Sequence, residues 1–316
     1  MHDAIDAFRS AVEASLGTAP DDITPGRFIR FSNTGKRGDT ACWLQMFDDL
    51  RGGTFGDFRA GIRETWTVVS PDSMTSSERA ALRAQIANAK AQREKAQREA
   101  WRKNGDRNLY IQRQAREVKA GDPVAQYLRN RLGFDGRLAP ACLRLHPALP
   151  YVHEGAVIGE FPCMLAPLVQ ADGSLVAWHR TYLTPDGQKA SVPGPTKKLT
   201  PASGLVNGSS IRLFEPKGET IGAAEGIETA LAAFLCSGVA TIATYSAGNL
   251  AAFRWPKAIR RLVVFADADE AGAKAAAALK TRANQAGLSA SIMAPSTPGH
   301  DWADVWAERQ SAEVSK

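Results

Sequence analysis

Apolar and polar positions fall into alternating blocks along the last hundred residues of this 316-residue chain, and the blocks spell a repeated strand–helix order. Thr220-Ile221-Gly222-Ala223-Ala224 is a short, nearly continuous apolar run, the pattern of a strand covered on both faces. Glu225 closes it, and Gly226-Ile227-Glu228-Thr229-Ala230-Leu231-Ala232 continues as a predicted helix. Arg261-Leu262-Val263-Val264-Phe265-Ala266 repeats the strand pattern, ends on Asp267 and Asp269, and leads into an Ala/Lys-rich helix from Glu270 to Arg282. The predicted fold class is α/β: a parallel sheet flanked by helices, with carboxylates at the strand ends where open parallel sheets place their binding sites.

Upstream the period changes. Phe161–Leu168 and Leu175–Leu183 read as two strands joined by the hairpin signal Asp172-Gly173. His146-Pro147 reads as the end of another strand. A capping-box start, Thr75-x-x-Glu78, opens a long Ala/Gln/Arg/Lys/Glu run with few apolar positions, a helix that cannot be buried all round. Arg27–Phe31 through Thr65–Val69 is β-patterned, with glycines Gly35, Gly38, Gly52, Gly53, Gly56 and Gly61. Its aromatics Trp43, Phe47, Phe55, Phe58 and Trp66 suit a small core. The basic residues Arg27, Arg30, Lys36, Arg37 and Arg59 leave a binding role open. The resulting division is a small β-rich module (1–72), a basic connector helix (73–120), a mixed α+β subdomain (121–208) and the α/β domain (209–316).

Charge sharpens this picture. Net charge is +6, yet residues 74–119 hold twelve Lys/Arg against five Asp/Glu, a local +7 that leaves the rest of the chain at −1. The basic helix is either a solvated connector or an arm that contacts DNA phosphates, since clustered cations gain affinity by releasing counterions. Glu225, Asp267 and Asp269 also allow two accounts. Carboxylates cap helix N-termini, and each of these precedes a helix. Asp267 and Asp269 also share one side of an extended segment, and like charges so placed are costly unless a cation lies between them. Oxygen ligands of this kind suit Mg²⁺ or Mn²⁺. Glu228, one turn on, is expected to face the site's rim or water, with water favoured. Gly226, Gly248 and Gly272 are read as places of close backbone approach or turn geometry.

Ala224-Glu225-Gly226-Ile227-Glu228-Thr229-Ala230-Leu231, followed by Phe265-Ala266-Asp267-Ala268-Asp269-Glu270-Ala271-Gly272, resembles the Toprim domain shared by bacterial-type DNA primases, topoisomerases and some nucleases. Tyr245–Leu250 is similar to the family's glycine-containing turn, and Gly299-His300-Asp301-Trp302-Ala303-Asp304-Val305 to its third acidic element. Upstream, Val124–Gly133 resembles the helix that opens the primase core, and Pro195-Thr196-Lys197-Lys198-Leu199-Thr200 the basic loop after its strands. The layout looks like the primase-like Toprim proteins of phages and plasmids.

The resemblance implies a DNA primase, a nucleotidyltransferase that makes short primers from nucleoside triphosphates on single-stranded DNA with Mg²⁺ or Mn²⁺. Metal ions would bind the triphosphate, neutralise charge on the α-phosphate and lower the pKa of the attacking 3′-hydroxyl. It implies metal ligands at Asp267 and Asp269, with Asp301 and Asp304 completing a second site unless Asp301 only caps a helix. Glu225 is implied as ligand or general base. Lys197, Lys198, Arg129, Arg131 and Arg180 are the cations implied to hold nucleotide and template, and His179 is expected to do no chemistry.

The remaining signals narrow the alternatives. Cys42, Cys142, Cys163 and Cys236 form no Cys-x-x-Cys pair, so the zinc ribbon of many primases is not expected, and neither is a disulfide framework. The scattered cysteines suit a reducing cytoplasm, which is the expected location; no apolar stretch is long enough to span a membrane, and the N-terminus does not read as a signal peptide. The absence of Gly-x-x-x-x-Gly-Lys-Ser/Thr argues against an ATPase-coupled nuclease, and the chain is expected either to act with a separately encoded helicase or to be a stand-alone module. A Toprim nuclease and a non-catalytic single-strand-binding accessory protein remain as alternatives.

Overall fold

The computed structural model describes residues 2–35, 41–57, 60, 62–69, 73–133, 139–297 and 299–314. Lys36, Arg37, Gly38, Phe58, Arg59 and Gly61, singled out above, lie outside the described residues. The chain divides into two compact units, 1–99 and 100–316, with the boundary inside the long helix rather than at its ends.

In the first unit, α1 (His2–Leu16) covers an antiparallel meander of β1 (Ile29–Phe31), β2 (Cys42–Met46), β3 (Gly52–Asp57) and β4 (Ile62–Thr67). The β-pattern announced the strands; α1 was not anticipated, although Phe8, Val12 and Leu16 recur at i, i+4, i+8 and are all buried. Phe8 sits edge-on to Phe55 with centroids 5.9 Å apart. Gly53 makes that possible, because a Cβ there would lie 2.7 Å from the Phe8 ring. Trp43, Phe47 and Phe55 are buried core residues. Arg27 and Arg30 are exposed.

Helix α2 runs from Ser76 to Gln114, straight through Gly105. Its capping box is formed: Thr75 N donates to Glu78 Oε2 at 2.9 Å and Glu78 N donates to Thr75 Oγ1 at 3.2 Å. No described helix is long and apolar enough to cross a membrane.

The second unit holds two sheets. The antiparallel one runs β5 (Arg116–Glu117), β6 (Arg144–His153), β7 (Ala156–Val169), β8 (Leu175–Tyr182), β9 (Lys197–Leu199), with α3 (Pro123–Leu132) packed on it. β6 does not end at His146-Pro147: it continues through a register shift between His146 and Leu149, and an irregular step of this kind accommodates a proline that cannot donate to the ladder. The parallel sheet has the order β11 (Thr241–Ala243), β10 (Thr220–Ala224), β12 (Arg261–Phe265), β13 (Ser289–Met293).

Period-2 alternation splits that sheet's side chains between two cores. Ile221, Ala223, Ile242, Leu262 and Val264 face α5 (Ala247–Ala252) and α6 (Glu270–Gln285). Ala224, Ala243, Val263 and Phe265 face α4 (Ile227–Ser237) and α7 (Trp302–Val314), in a core shared with α3 and the antiparallel sheet. Ile211 bridges to Ala243 and Ser210 to Val169, which stitches the two sheets together. The segments expected as 121–208 and 209–316 therefore pack around one common core.

Candidate active site

The carboxyl edge of the parallel sheet is built by strand endings. β10 stops at Ala224, whose carbonyl accepts from Thr244 N at 2.9 Å, and Glu225 O accepts from Tyr245 N at 2.8 Å, so Glu225 leaves the sheet beside the end of β11. β12 stops at Phe265; Trp302 Nε1 donates to Ala266 O at 3.2 Å and Ala268 N to His300 O at 3.1 Å. These bonds bring the start of α7, with Asp301, beside Asp267. A cavity of about 260 Å³ opens there, lined by Glu225, Asp267 and Asp301 and by the cations Arg131, Lys189 and Lys197. Arg131 and Asp301, 170 positions apart in the chain, meet in it.

The acids raise one another's proton affinity. Burial lifts the Asp267 carboxyl to about 6, aided by the charges of Glu225, Asp301 and Asp269, while the Thr229 hydroxyl holds it back. Glu225 is raised by burial and then by Asp269, against the Ala247 N–H and Lys197. Asp267 Oδ1 is buried without a hydrogen-bond partner.

Asp269 takes a different place. The strand ends at Phe265 and the chain bends at Ala268 and Asp269, and Asp267 lines the cavity whereas Asp269 does not. Asp269 is exposed and caps α6, accepting from Gly272 N at 2.6 Å, and reaches the site through its charge. Gly272 is needed at that cap, since a Cβ there would stand 2.9 Å from Asp267 O. A Cβ at Gly226 would come no closer than 3.3 Å to its neighbours, and Gly248 has open space around its Cβ position, so no close approach requires Gly248. Asp301 and Asp304 cap α7 reciprocally, each backbone N–H donating to the other's carboxylate at 3.0 Å. Asp301 still faces the cavity and lies 3.5 Å from Arg131 Nη2.

The cations divide by strand period. Lys197 pairs with Thr181 and Lys198 with Arg180, on a strand β9 rather than a loop. Lys197 enters the cavity. Lys198 lies on the opposite face, donating to Val152 O at 2.8 Å, with its Nζ 3.8 Å from the Tyr151 ring centroid. Arg180 is on that face too, bonded to Leu199 O at 2.6 Å and to the Tyr182 hydroxyl at 3.1 Å. Arg129 is exposed on α3 and does not line the cavity.

Glu228 corrects the expectation that it faces water. It is 5% exposed, with Lys197 Nζ donating to Oε2 at 2.8 Å and the Tyr127 hydroxyl donating to Oε1. Burial alone would raise this carboxyl, but Lys197 and the two donors outweigh it and bring it down to about 2. His179 is buried, held down to about 4 by burial, and its Nδ1 has no partner. Its ring is edge-on to Tyr245, 6.0 Å away. Tyr245 has φ +75°, a left-handed conformation rare outside glycine, and strain of this kind clusters at functional sites. Sequence reasoning missed Tyr127, Thr229, Lys189 and Tyr245 as lining or supporting residues; only an alternation count on β8 and β9 would have separated Lys197 from Lys198.

The profile of the Toprim domain matches residues 220–312, the span that holds every acid of this edge. Residues 220–312 are a Toprim domain. Residues 102–213 match a domain of unknown function (DUF7146). No curated protein is significantly similar in sequence. Among solved structures, the chain is similar to the DnaG catalytic core at 15% identity, covering 68% of this chain and 78% of that one with a TM-score of 0.46. It is similar to the RNA polymerase domain of Mycobacterium tuberculosis primase DnaG at 17% identity, 69% and 81% coverage and a TM-score of 0.42. For a DNA primase domain from Pseudomonas aeruginosa the values are 16%, 60% and 62%, and 0.37, so the chain spans under two thirds of that domain.

Whether the Toprim acids suit a cation is a matter of their own geometry. Among the described residues no three His, Cys, Asp or Glu side chains already stand as a metal-holding group. The donor chemistry fits nonetheless: Asp267 has a buried oxygen with no partner, and its carboxyl is lifted by three surrounding carboxylates. A hard divalent cation would satisfy the first and reverse the second.

Proposed function

We propose that this Toprim protein is a metal-dependent nucleotidyltransferase of the primase kind, which joins nucleoside triphosphates into short primers on single-stranded DNA. The observation that carries this reading is the pairing of Glu225, Asp267 and Asp301 with Lys197 and Arg131 around one cavity at the sheet's carboxyl edge. Acids alone would suit many hydrolases; acids facing cations suit a polyphosphate that carries its own Mg²⁺ or Mn²⁺.

Asp267 and Asp301 are the residues that would hold such an ion. When bound, it supplies charge neutralisation on the phosphates and lowers the pKa of the attacking hydroxyl. Lys197 and Arg131 bind phosphate oxygens and orient the triphosphate. The 3′-hydroxyl oxygen bonds to the α-phosphorus, the bond to the bridging oxygen breaks, and pyrophosphate leaves. Glu225, raised above the usual carboxylate range by burial, takes the hydroxyl proton.

The test is incubation of the purified protein with single-stranded DNA, labelled NTPs or dNTPs, and Mg²⁺ or Mn²⁺. Short new oligonucleotides are expected, and Asp267→Ala should reduce them by about 100-fold or more. Shortened input DNA would replace this reading with a nuclease, and DNA binding without either product would replace it with an accessory protein.

A further inference from the structure

Glu228 lines the wall of the cavity with its side chain almost sealed, and its three-residue network joins α3, α4 and β9. Its two oxygens are taken by Lys197 Nζ, at 2.8 Å, and by the Tyr127 hydroxyl. The other charged and titratable groups lining this cavity are Arg131, Lys189, Glu225, Asp267, Asp301, Tyr245 and the buried His179. The pair is asymmetric. Glu228 is sealed, its side chain 7% exposed, whereas the Lys197 side chain is 38% exposed at the cavity wall. An ammonium has three N–H donors, so the bond to Glu228 leaves two for a ligand. A purely structural ion pair has no need to keep its lysine open. A lysine that must grip a phosphate does need a fixed stem, because its four rotatable bonds otherwise spread the charge over a wide arc. Lys198, one residue on, shows the alternative: the same side chain on the other strand face spends its ammonium on a carbonyl and an aromatic ring.

We propose that Glu228 and Tyr127 are positioning residues, which hold the Lys197 ammonium at the cavity wall so that it grips a phosphate oxygen of the incoming triphosphate. This rests on the nucleotidyltransferase reading above. Glu228 accepts from the lysine, and Tyr127 fixes the rotamer of Glu228. Neither touches the nucleotide.

The experiment compares wild type, Glu228→Gln, Lys197→Met, the double variant and Tyr127→Phe, reading KM and kcat for NTP incorporation, Mg²⁺–ATP binding by calorimetry, and Tm. Loss of one charge-assisted bond predicts that E228Q raises KM about tenfold while kcat stays within about threefold. K197M should raise KM at least as much, and the double variant should be no worse than K197M, because Glu228 acts through Lys197. An E228Q protein with lower Tm and wild-type KM would overturn the proposal, as would single effects that multiply in the double variant. Should E228Q fail to fold, Tyr127→Phe keeps the ion pair and decides: a raised KM supports the proposal and an unchanged one overturns it. Wild type that binds Mg²⁺–ATP together with an unaffected E228Q sinks this inference alone. Wild type that binds no ATP sinks the functional reading and this one with it.

Discussion

Asp267 and Glu228 border one cavity and have opposite electrostatic fates. Glu228 is the more buried, yet its carboxyl is pulled down to about 2 because a lysine and a tyrosine satisfy both oxygens. Asp267 is less buried, yet burial pushes it up to about 6, because its neighbours are acids that add to the shift and one oxygen has no partner. The first is a finished interaction and the second an unfinished one. Burial does not distinguish a structural carboxylate from a ligand-seeking one; partners do. Fold stability is drawn from the Glu228 corner and given up at the Asp267 corner, as expected where a protein keeps a place for a cation.

Substitution can break this contrast. Gly272→Ala should have the largest effect on stability, about 3 kcal/mol, because its Cβ would meet the Asp267 carbonyl and the cap of α6 together; denaturant unfolding checks this. Neutral isosteres should then give opposite signs. In EDTA near pH 7.5, Asp267→Asn should stabilise the protein by about 1–2 kcal/mol by removing repulsion, after discounting for solvent screening at the open cavity. Glu228→Gln should destabilise it by a similar amount. Equal signs would erase the distinction.

Acid titration sharpens it further. His179 is held down to about 4 by burial, so the unfolded chain binds the extra proton between about pH 6.5 and 4. Its contribution is complete above that window and is lost as pH falls through it. Asp267 acts in the reverse direction: its raised carboxyl makes the metal-free protein lose stability as pH rises from its ordinary value toward about 6. Tm against pH for His179→Asn and Asp267→Asn should therefore diverge from wild type in opposite directions. The smallest expected effect concerns α2. Replacing the exposed Arg98, Arg107 and Arg113 of α2 with alanine should lower the log–log salt slope of single-strand binding by roughly 0.7 for each phosphate no longer neutralised; an unchanged slope would make α2 a spacer.

Much of this architecture was legible beforehand. The apolar runs at 220–224 and 261–265 marked parallel strands, Thr75-x-x-Glu78 marked a helix start, and the acids at the strand ends marked the functional edge. Helix α1 was missed although Phe8, Val12 and Leu16 carry its period, because the β-pattern beyond it dominated the reading of the module. The capping account of Asp269 and Asp301 proved true in hydrogen bonds, Asp304 caps α7 as well without having been expected to, and Asp301 also faces the cavity.

Local pattern by itself determined the strands, the helices and which strand ends carry acids, because period and capping depend on neighbours a few residues away. The tertiary structure decided which charges meet. Lys197 and Lys198 are indistinguishable as a dipeptide, and only the pairing of β9 with β8 sends one to the cavity and the other to Tyr151. Glu228 likewise looked like a solvent-facing helical residue until Tyr127, 101 positions away, and Lys197, 31 positions away, closed over it. Long-range packing sets the partners of a charge, and the partners set its chemistry.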